Sequence, residues 1–240
     1  MGLTLNRLFA RSGPPLRSGD VLLVEPAARH YEAWSLLREA SREHLEPFEP
    51  EWASDELSRG AFRRRLKRYR RDRWFGTGAA YLVERAADGA LLGGVTLTNI
   101  RRGVTQSASV GYWIGLPFIR QGYASEALGA VLRYAFDDLE LNRVEAACMP
   151  RNRASRGVLE RAGFRQEGLA RRYLMIRGVY EDHLLFARLR SDAPASVRIP
   201  DERPRIVEPP LVAPPLETIP AAPPLVATGP PPTAAEGHAV

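Results

Sequence analysis

From residue 191 to the C terminus the chain carries 13 of its 20 prolines and no Phe, Tyr or Trp. Proline cannot donate to a helix or a sheet ladder, and a segment without aromatics buries too little apolar surface to offset its ordering entropy. Residues 191–240 are therefore expected to form a disordered, partly polyproline tail. A docking site for a proline-reading partner is the functional alternative, although most such tails are linkers. Any folded core has to come from the residues before this break, which are enough for one domain with a sizeable interior.

Before the break, strand and helix periodicities alternate. The stretch "DVLLVEP" (20–26) reads as a strand, and Ala27 to Ser41 as a helix with Tyr31, Trp34, Leu37 and Ala40 turned inward. Residues 44–52, "HLEPFEPEW", read as a proline-punctuated loop. Asp55 to Asp72 reads as a second helix, striped by Leu57, Phe62, Leu66 and Tyr69. "AAYLVERA" and "LLGGVTLTNI" flank Asp88-Gly89, a hairpin signal, and "SASVGYWIG" is another strand. A helix from Tyr123 to Phe136 buries Ala124, Ala127, Leu128, Val131, Leu132 and Ala135. "RVEAACM" (143–149) is a strand with Val144, Ala146 and Cys148 on one side. Asn152 then opens a helix that ends at Gly163, a residue suited to the left-handed position before Phe164. Two strands around Arg177-Gly178 close the domain. The sum is one α/β domain with a mixed sheet over 20–190, preceded by an N-terminal arm (1–19) and followed by the tail (191–240).

Composition removes several function classes. Cys148 is the one cysteine, so neither an intrachain disulfide nor a cysteine-based zinc site is available. His30, His44, His183 and His238 are scattered, and no metal centre is expected. No apolar run approaches the roughly 20 residues that span a bilayer. The opening "MGLTLNRLFARSG" lacks a long apolar stretch and carries Asn6 where a myristoylation signal has Ser or Thr. A cytoplasmic protein without a membrane partner is the expectation. Net charge is +6, nearly all of it arginine, since Lys67 is the only lysine.

"GLPFIRQGYASEAL" (115–128) changes character in the middle. A Tyr/Trp/Ile strand runs into Gly122-Tyr123-Ala124, and an amphipathic helix runs out. A helix N-terminus carries unpaired N–H groups and partial positive charge, so this junction suits an anion such as a phosphate or pyrophosphate. Gly122 lets the backbone approach closely, Ala124 keeps the next inward position small, and Ser125 adds a hydroxyl. It is not a P-loop, because the Gly-Lys-Ser/Thr ending is absent, and it lacks the further glycine of a dinucleotide fingerprint. Taken alone, the pattern also describes a tight turn with close helix–sheet packing.

Its neighbours are more specific. "GYWIG…IRQGYASEAL", a strand, and then "PRNRASRGVLERAGF" resemble the two central motifs of the GNAT superfamily of acetyl-CoA-dependent N-acetyltransferases. "HLEPFEP", "NIRRGVTQSASVGYWIG" and "LERAGFRQEGLARRYLMIRGVYEDH" resemble its Rim-type members, which acetylate the N-terminal residue of ribosomal proteins, the alanine acetyltransferase in particular. The resemblance covers about residues 20 to 190. It implies a mostly antiparallel mixed sheet splayed at its centre, with flanking helices. It also implies acetyl-CoA as co-substrate and the N-terminal amine of a protein, such as a ribosomal protein, as acceptor. Backbone groups of Tyr112, Trp113 and Ile114 would pair with the pantetheine arm. The turn from Arg120 through Gln121, Gly122, Tyr123 and Ala124 to Ser125 would cradle the pyrophosphate. Asn152 would hydrogen-bond the pantetheine, with a plain N-cap as its other reading. The family prefers Gln or Arg three residues before the glycine, where Ile119 stands, which leaves Arg120 and Gln121 to make side-chain contacts.

The implied chemistry is attack of a neutral amine on the thioester carbon. It needs an oxyanion stabiliser, which a backbone N–H near Ile114 would supply, and a proton for the departing thiolate. Where many relatives carry a tyrosine as acid this chain has Leu159, and Ser155 in "NRAS" matches the serine that Rim-type enzymes offer instead. Ser155 also has a capping or packing reading. Glu49 in "PFEPEW" is the leading base candidate, because the matching loop lies by the acceptor site in relatives. Tyr173 and Asp182 are alternatives, and His183, though of a type that titrates near neutrality, sits in a strand pattern and reads as a packing residue.

"RGAFRRRLKRYRRDR" (59–73) holds nine basic residues against Asp72. A solvated helix face is its ordinary explanation, and contact with RNA or an acidic partner the sharper one. No recognised nucleic-acid motif accompanies it. Three function classes follow: a protein N-terminal acetyltransferase, an acetyltransferase for a small amine such as an antibiotic or polyamine, and a non-catalytic binding module. A narrow, acidic acceptor pocket would favour the second. Oligomeric state is open between monomer and homodimer.

Overall fold

A computed structural model of the protein describes residues 15–192. Most of the expected arm, and the proline-rich tail beyond Asp192, lie outside the described residues. Among the described residues, eight strands form a single sheet in the order β1-β2-β3-β4-β5-β6-β8-β7. They are β1 (Leu16–Ser18), β2 (Val21–Val24), β3 (Ala79–Arg85), β4 (Leu91–Arg101), β5 (Ser107–Ile114), β6 (Arg143–Cys148), β7 (Arg165–Ile176) and β8 (Val179–Leu189). Every neighbouring pair is antiparallel except β5–β6, which is parallel. The helices flanking the sheet among these residues are α1 (Tyr31–Ala40), α2 (Arg42–Leu45), α3 (Arg59–Trp74), α4 (Tyr123–Arg133) and α5 (Arg153–Arg161).

Both faces of the sheet are covered, which is why β3 runs Ala79 to Val83 without an exposed residue. On one face α4 and α5 bring Leu128, Val131 and Leu159 onto Val95, Val144 and Phe186. On the other, Trp34 of α1 and Phe62 and Leu66 of α3 pack on Leu82 of β3. The Trp34 and Phe62 ring centroids are 4.9 Å apart. The hydrophobic stripes read from sequence thus face the sheet they were expected to cover.

Five local expectations needed correction. The sheet begins at Leu16, inside the segment assigned to the arm: β1 pairs with β2 around Gly19 (φ +55°), and the Asp20 N–H donates to Glu126 of α4 at 2.8 Å. Residues 44–52 hold helical turns, in α2 and in a 3-10 turn at Glu46–Phe48, rather than an irregular loop. Helix α3 starts at Arg59 instead of Asp55, because Ser58 is its N-cap, accepting from the Ala61 N–H at 3.0 Å. Ala40 is exposed, and buried Arg38 takes an inward position beside Leu37. Past Arg133 the helix loosens into a π turn at Tyr134–Asp138.

Candidate active site

The site begins where β5 and β6 part. Their pairing is confined to Ser107–Ser109 against Arg143–Glu145. Beyond it the two strand ends diverge around a cavity of about 870 Å³. Glycines on β4 explain the divergence. A Cβ on Gly93 would lie 2.1 Å from the Trp113 carbonyl oxygen, and one on Gly94 would lie 2.6 Å from the Trp113 indole nitrogen. Strand β5 can press against β4 there only because side chains are missing. Its end is then pinned to α1: a Cβ on Gly115 would stand 2.3 Å from Leu37 Cδ1, and the Leu116 N–H donates to Ser41 Oγ at 2.9 Å. Drawn to β4 and α1, the end of β5 leaves its β6 side open.

Tyr112, Trp113, Ile114, Arg120, Gly122, Tyr123, Ala124, Ser125 and Asn152 all line this cavity. Gln121 does not; its side-chain amide donates to the Pro117 carbonyl at 3.1 Å. Arg120 (φ +62°) and Gly122 (φ +88°) are both left-handed, with Gln121 between them. Alternating φ signs curl successive N–H groups towards one side, and α4 begins at that point, so the turn is a concave anion cradle built from backbone. A Cβ on Gly122 would meet nothing nearer than 4.0 Å. Glycine is needed there for its φ and for the open space in front of it, not for close packing.

At the start of α5, Asn152 Oδ1 accepts from the Ser155 N–H at 3.0 Å, so Asn152 is an N-cap. Its amide N–H groups remain to reach into the cavity. The Tyr112 hydroxyl lies 3.1 Å from the Ser155 carbonyl oxygen, to which it donates, and 3.0 Å from Ser155 Oγ. Burial pushes the Tyr112 phenol well above its ordinary range, against the opposing pull of the Ser155 hydrogen bond. Burial also raises the Cys148 thiol, again opposed by a hydrogen bond with Ser155. Tyr112, Ser155 and Cys148 therefore form a neutral, protonated group on the cavity wall.

The other end is lined by His44, Phe48, Glu49, Arg151 and His183. Glu49 is held hard in place: Arg38 donates to its two oxygens at 2.8 and 2.7 Å, and the Trp52 indole donates to Oε2 at 2.8 Å. The Arg38 guanidinium, 5% exposed as a residue, lies 4.2 Å from the Trp52 ring and 5.0 Å from the Trp113 ring. His183 Nδ1 is 3.0 Å from the Glu181 carbonyl oxygen. A carbonyl only accepts, so the neutral ring carries its proton on Nδ1 and presents the Nε2 lone pair. Asp182 is occupied elsewhere, accepting from the Arg172 N–H at 2.7 Å. Tyr173 is half exposed, its ring edge-on to His183 at 5.9 Å. Among the described residues, no group of His, Cys, Asp or Glu is placed to hold a metal ion, and no helix is long and apolar enough to cross a membrane.

A parallel strand pair that opens after three residues, with a helix N-terminus at its mouth, is the arrangement that the sequence resemblance implied. Residues 20–165 match the acetyltransferase (GNAT) domain. The chain belongs to the GNAT acetyltransferase family. It is 37% identical to a probable N-acetyltransferase, YjcK, of Bacillus subtilis, over 65% of this chain and 86% of that protein. It is 29% identical to the [ribosomal protein uS5]-alanine N-acetyltransferase of Escherichia coli, over 75% of this chain and 93% of that one. Among solved structures, Mycobacterium smegmatis RimJ in complex with CoA-disulfide superposes with a TM-score of 0.70 at 34% identity, covering 75% of this chain and 88% of that chain. This GNAT protein is accordingly an acetyl-CoA-dependent N-acetyltransferase, similar to enzymes of the Rim type.

Sequence reasoning overlooked Arg38, the Tyr112 hydroxyl and the cavity-facing position of His183. Arg38 did leave a signal, standing four residues after Trp34 and hence on the same inward helix face.

Proposed function

We propose that this GNAT enzyme moves the acetyl group of acetyl-CoA directly to the N-terminal α-amine of a protein, with a ribosomal protein as the acceptor class. The character of the acceptor end supports a protein over a small amine. Among the described residues, Glu49 is the one carboxylate on the cavity wall, and Arg38 neutralises it. A polyamine or aminoglycoside would be drawn to several uncompensated carboxylates. Instead, the neighbouring β7–β8 hairpin exposes Leu169, Tyr173, Leu174, Met175, Val179 and Tyr180, an apolar surface of the kind that docks a protein. The uS5-alanine acetyltransferase relative points the same way. Such an acceptor, like the acetyl donor, is met in the cytoplasm.

The cavity fits acetyl-CoA by its size and by its backbone cradle at Arg120–Ser125. In this reading Tyr112, Trp113 and Ile114 pair with the pantetheine arm through their backbone, and the amide of Asn152 donates to it. A backbone N–H near Ile114 steadies the oxyanion. An α-amine titrates near pH 8, so reaching its neutral form at pH 7 costs only about 1.4 kcal/mol. His183, through Nε2, takes up the amine proton directly or across a water. We give Glu49 a positioning role, because its oxygens already accept from Arg38 and Trp52. When the thioester carbon–sulfur bond breaks, Ser155 donates its hydroxyl proton to the thiolate, Tyr112 at 3.0 Å returns one to Ser155, and a proton from water restores the phenol. Burial raises the phenol and the thiol, so in the resting enzyme Tyr112 and Cys148 are protonated and no second nucleophile competes for the acetyl group.

The test offers the full-length enzyme acetyl-CoA with peptides carrying an N-terminal alanine, with the same peptides blocked at the α-amine, and with a panel of polyamines and aminoglycosides. Acetylation confined to the free α-amine is expected, with intersecting initial-rate lines that mark a ternary complex. Acetylated small amines beside untouched peptides would overturn the protein-acceptor reading.

A further inference from the structure

The basic helix α3 lines no part of the acetyl-transfer cavity. Five of its nine cations are spoken for: Arg59 pairs with Glu32, Arg64 with Asp55, Arg65 with Glu56, Arg71 with Asp72 and Arg73 with Glu25. Arg63, Lys67, Arg68 and Arg70 have no carboxylate partner among the described residues, and all four are exposed. Their arrangement is ordered. At about 100° per residue, positions 63, 67, 70 and 74 fall within roughly 60° of one another, as a line parallel to the helix axis about 16 Å long. Its last member is Trp74, 64% exposed, and the following Phe75 is 68% exposed. A line of cations kept only for solvation has no use for an indole in water.

A groove of about 530 Å³ adjoins this line, between α3 and the ends of β3 and β4. Arg68, Tyr69, Thr96, Thr98, Asn99 and Arg101 line it, and its one carboxylate, Asp72, is paired with Arg71 at 3.3 Å. Unpaired cations in register, an exposed indole and a groove of hydroxyls, an amide and two arginines are three features of one surface. Together they match a strand of phosphates whose bases are unstacked and accessible.

We propose that this surface binds single-stranded nucleic acid: Arg63, Lys67 and Arg70 contact successive phosphates, a base stacks on Trp74, and the groove with Arg68 and Arg101 takes the adjoining nucleotide. An acidic peptide would use the cations but gain little from Trp74 or from the groove. A duplex hides its base faces, and Trp74 then has nothing to stack on.

The experiment is fluorescence anisotropy of the full chain with labelled single strands of about 12 nucleotides, as RNA and as DNA, against a polyglutamate peptide and a duplex of equal length. Binding to single strands is expected, with a log K against log salt slope near −2 for about three phosphate contacts. The RNA and DNA arms separate the two sources of the same chemistry. Replacing Arg63, Lys67 and Arg70 together with Gln should cost at least tenfold in affinity and flatten that slope. Trp74→Ala should cost about tenfold and leave the slope unchanged, because stacking is not ionic. Both variants should keep the wild-type acetyl-CoA affinity and melting temperature, which excludes misfolding. Absence of single-strand binding, binding unaffected by the triple variant, or equal binding of polyglutamate with no effect of Trp74→Ala would each overturn the proposal.

Discussion

The two ends of the cavity are built from different materials. The coenzyme end is backbone: a strand end, two left-handed residues and a helix N-terminus, all within residues 110–125. The acceptor end is side chains brought from α1, the α2 region and β8, with Arg38, Glu49, Trp52 and His183 spread over most of the domain. A backbone site tolerates side-chain change but not a change of path. A side-chain site behaves in the opposite way. Substitutions should therefore separate the two ends by what they damage.

The largest effect is expected where the two ends share a foundation. Gly93→Val places carbon within 2.1 Å of the Trp113 carbonyl, so β5 must leave β4. Overpacking of this severity should cost about 3 kcal/mol, a fall in melting temperature of about 10 °C for a domain of this size. Acetyl-CoA binding should disappear with it, since the splay depends on the same contact. Retained affinity in calorimetry would show that the cavity does not need β5 held to β4.

Next come substitutions that leave the coenzyme end intact. Ser155→Ala and His183→Gln should each lower kcat by about a hundredfold, near 2.7 kcal/mol, with acetyl-CoA affinity little changed. They should differ in pH behaviour. Loss of the base should leave only the acid limb of the kcat/KM profile that the substrate α-amine itself sets near pH 8, and loss of the acid should leave the profile as it was. A profile unchanged by His183→Gln would return the ring to a packing role. Gly122→Ala tests the other end. Its φ of +88° should cost an alanine about 1–2 kcal/mol of strain. Relief of that strain would turn the N–H groups away, with about a tenfold loss of acetyl-CoA affinity and no change in peptide KM.

The same contrast decides what could be read from the chain. The coenzyme end was legible because its signal is contiguous: small residues at a strand-to-helix junction, followed by a second helix that opens on Asn152. The fold was legible for a similar reason, since stripes such as Phe62 and Leu66 or Leu128 and Val131 name an inward face without naming the partner. The acceptor end was not. Alternation along β8 shows that His183 points inward, but an inward residue can meet either core or cavity, and only the parting of β5 from β6 decides which. The motif around Glu49 placed it at the cavity, yet nothing nearby announces a bidentate partner eleven residues earlier. Strand β1 was missed because three residues, Leu-Arg-Ser, are too few to show a period.

The smallest effect is the most informative about how the two ends meet. Tyr112 belongs to both, with its backbone on the coenzyme side and its hydroxyl on Ser155. Tyr112→Phe keeps the strand and the ring and removes one buried hydrogen bond, worth about 1 kcal/mol. If the phenol returns the proton that Ser155 gives up, kcat should fall about fivefold in wild-type background. In Ser155→Ala background it should not fall further, because the step that the phenol serves is already lost. Two groups in one proton path are non-additive in this way, whereas two independent packing contacts add. Additive losses in the double variant would assign the phenol to holding α5 in place, and Ser155 would then take its replacement proton from water.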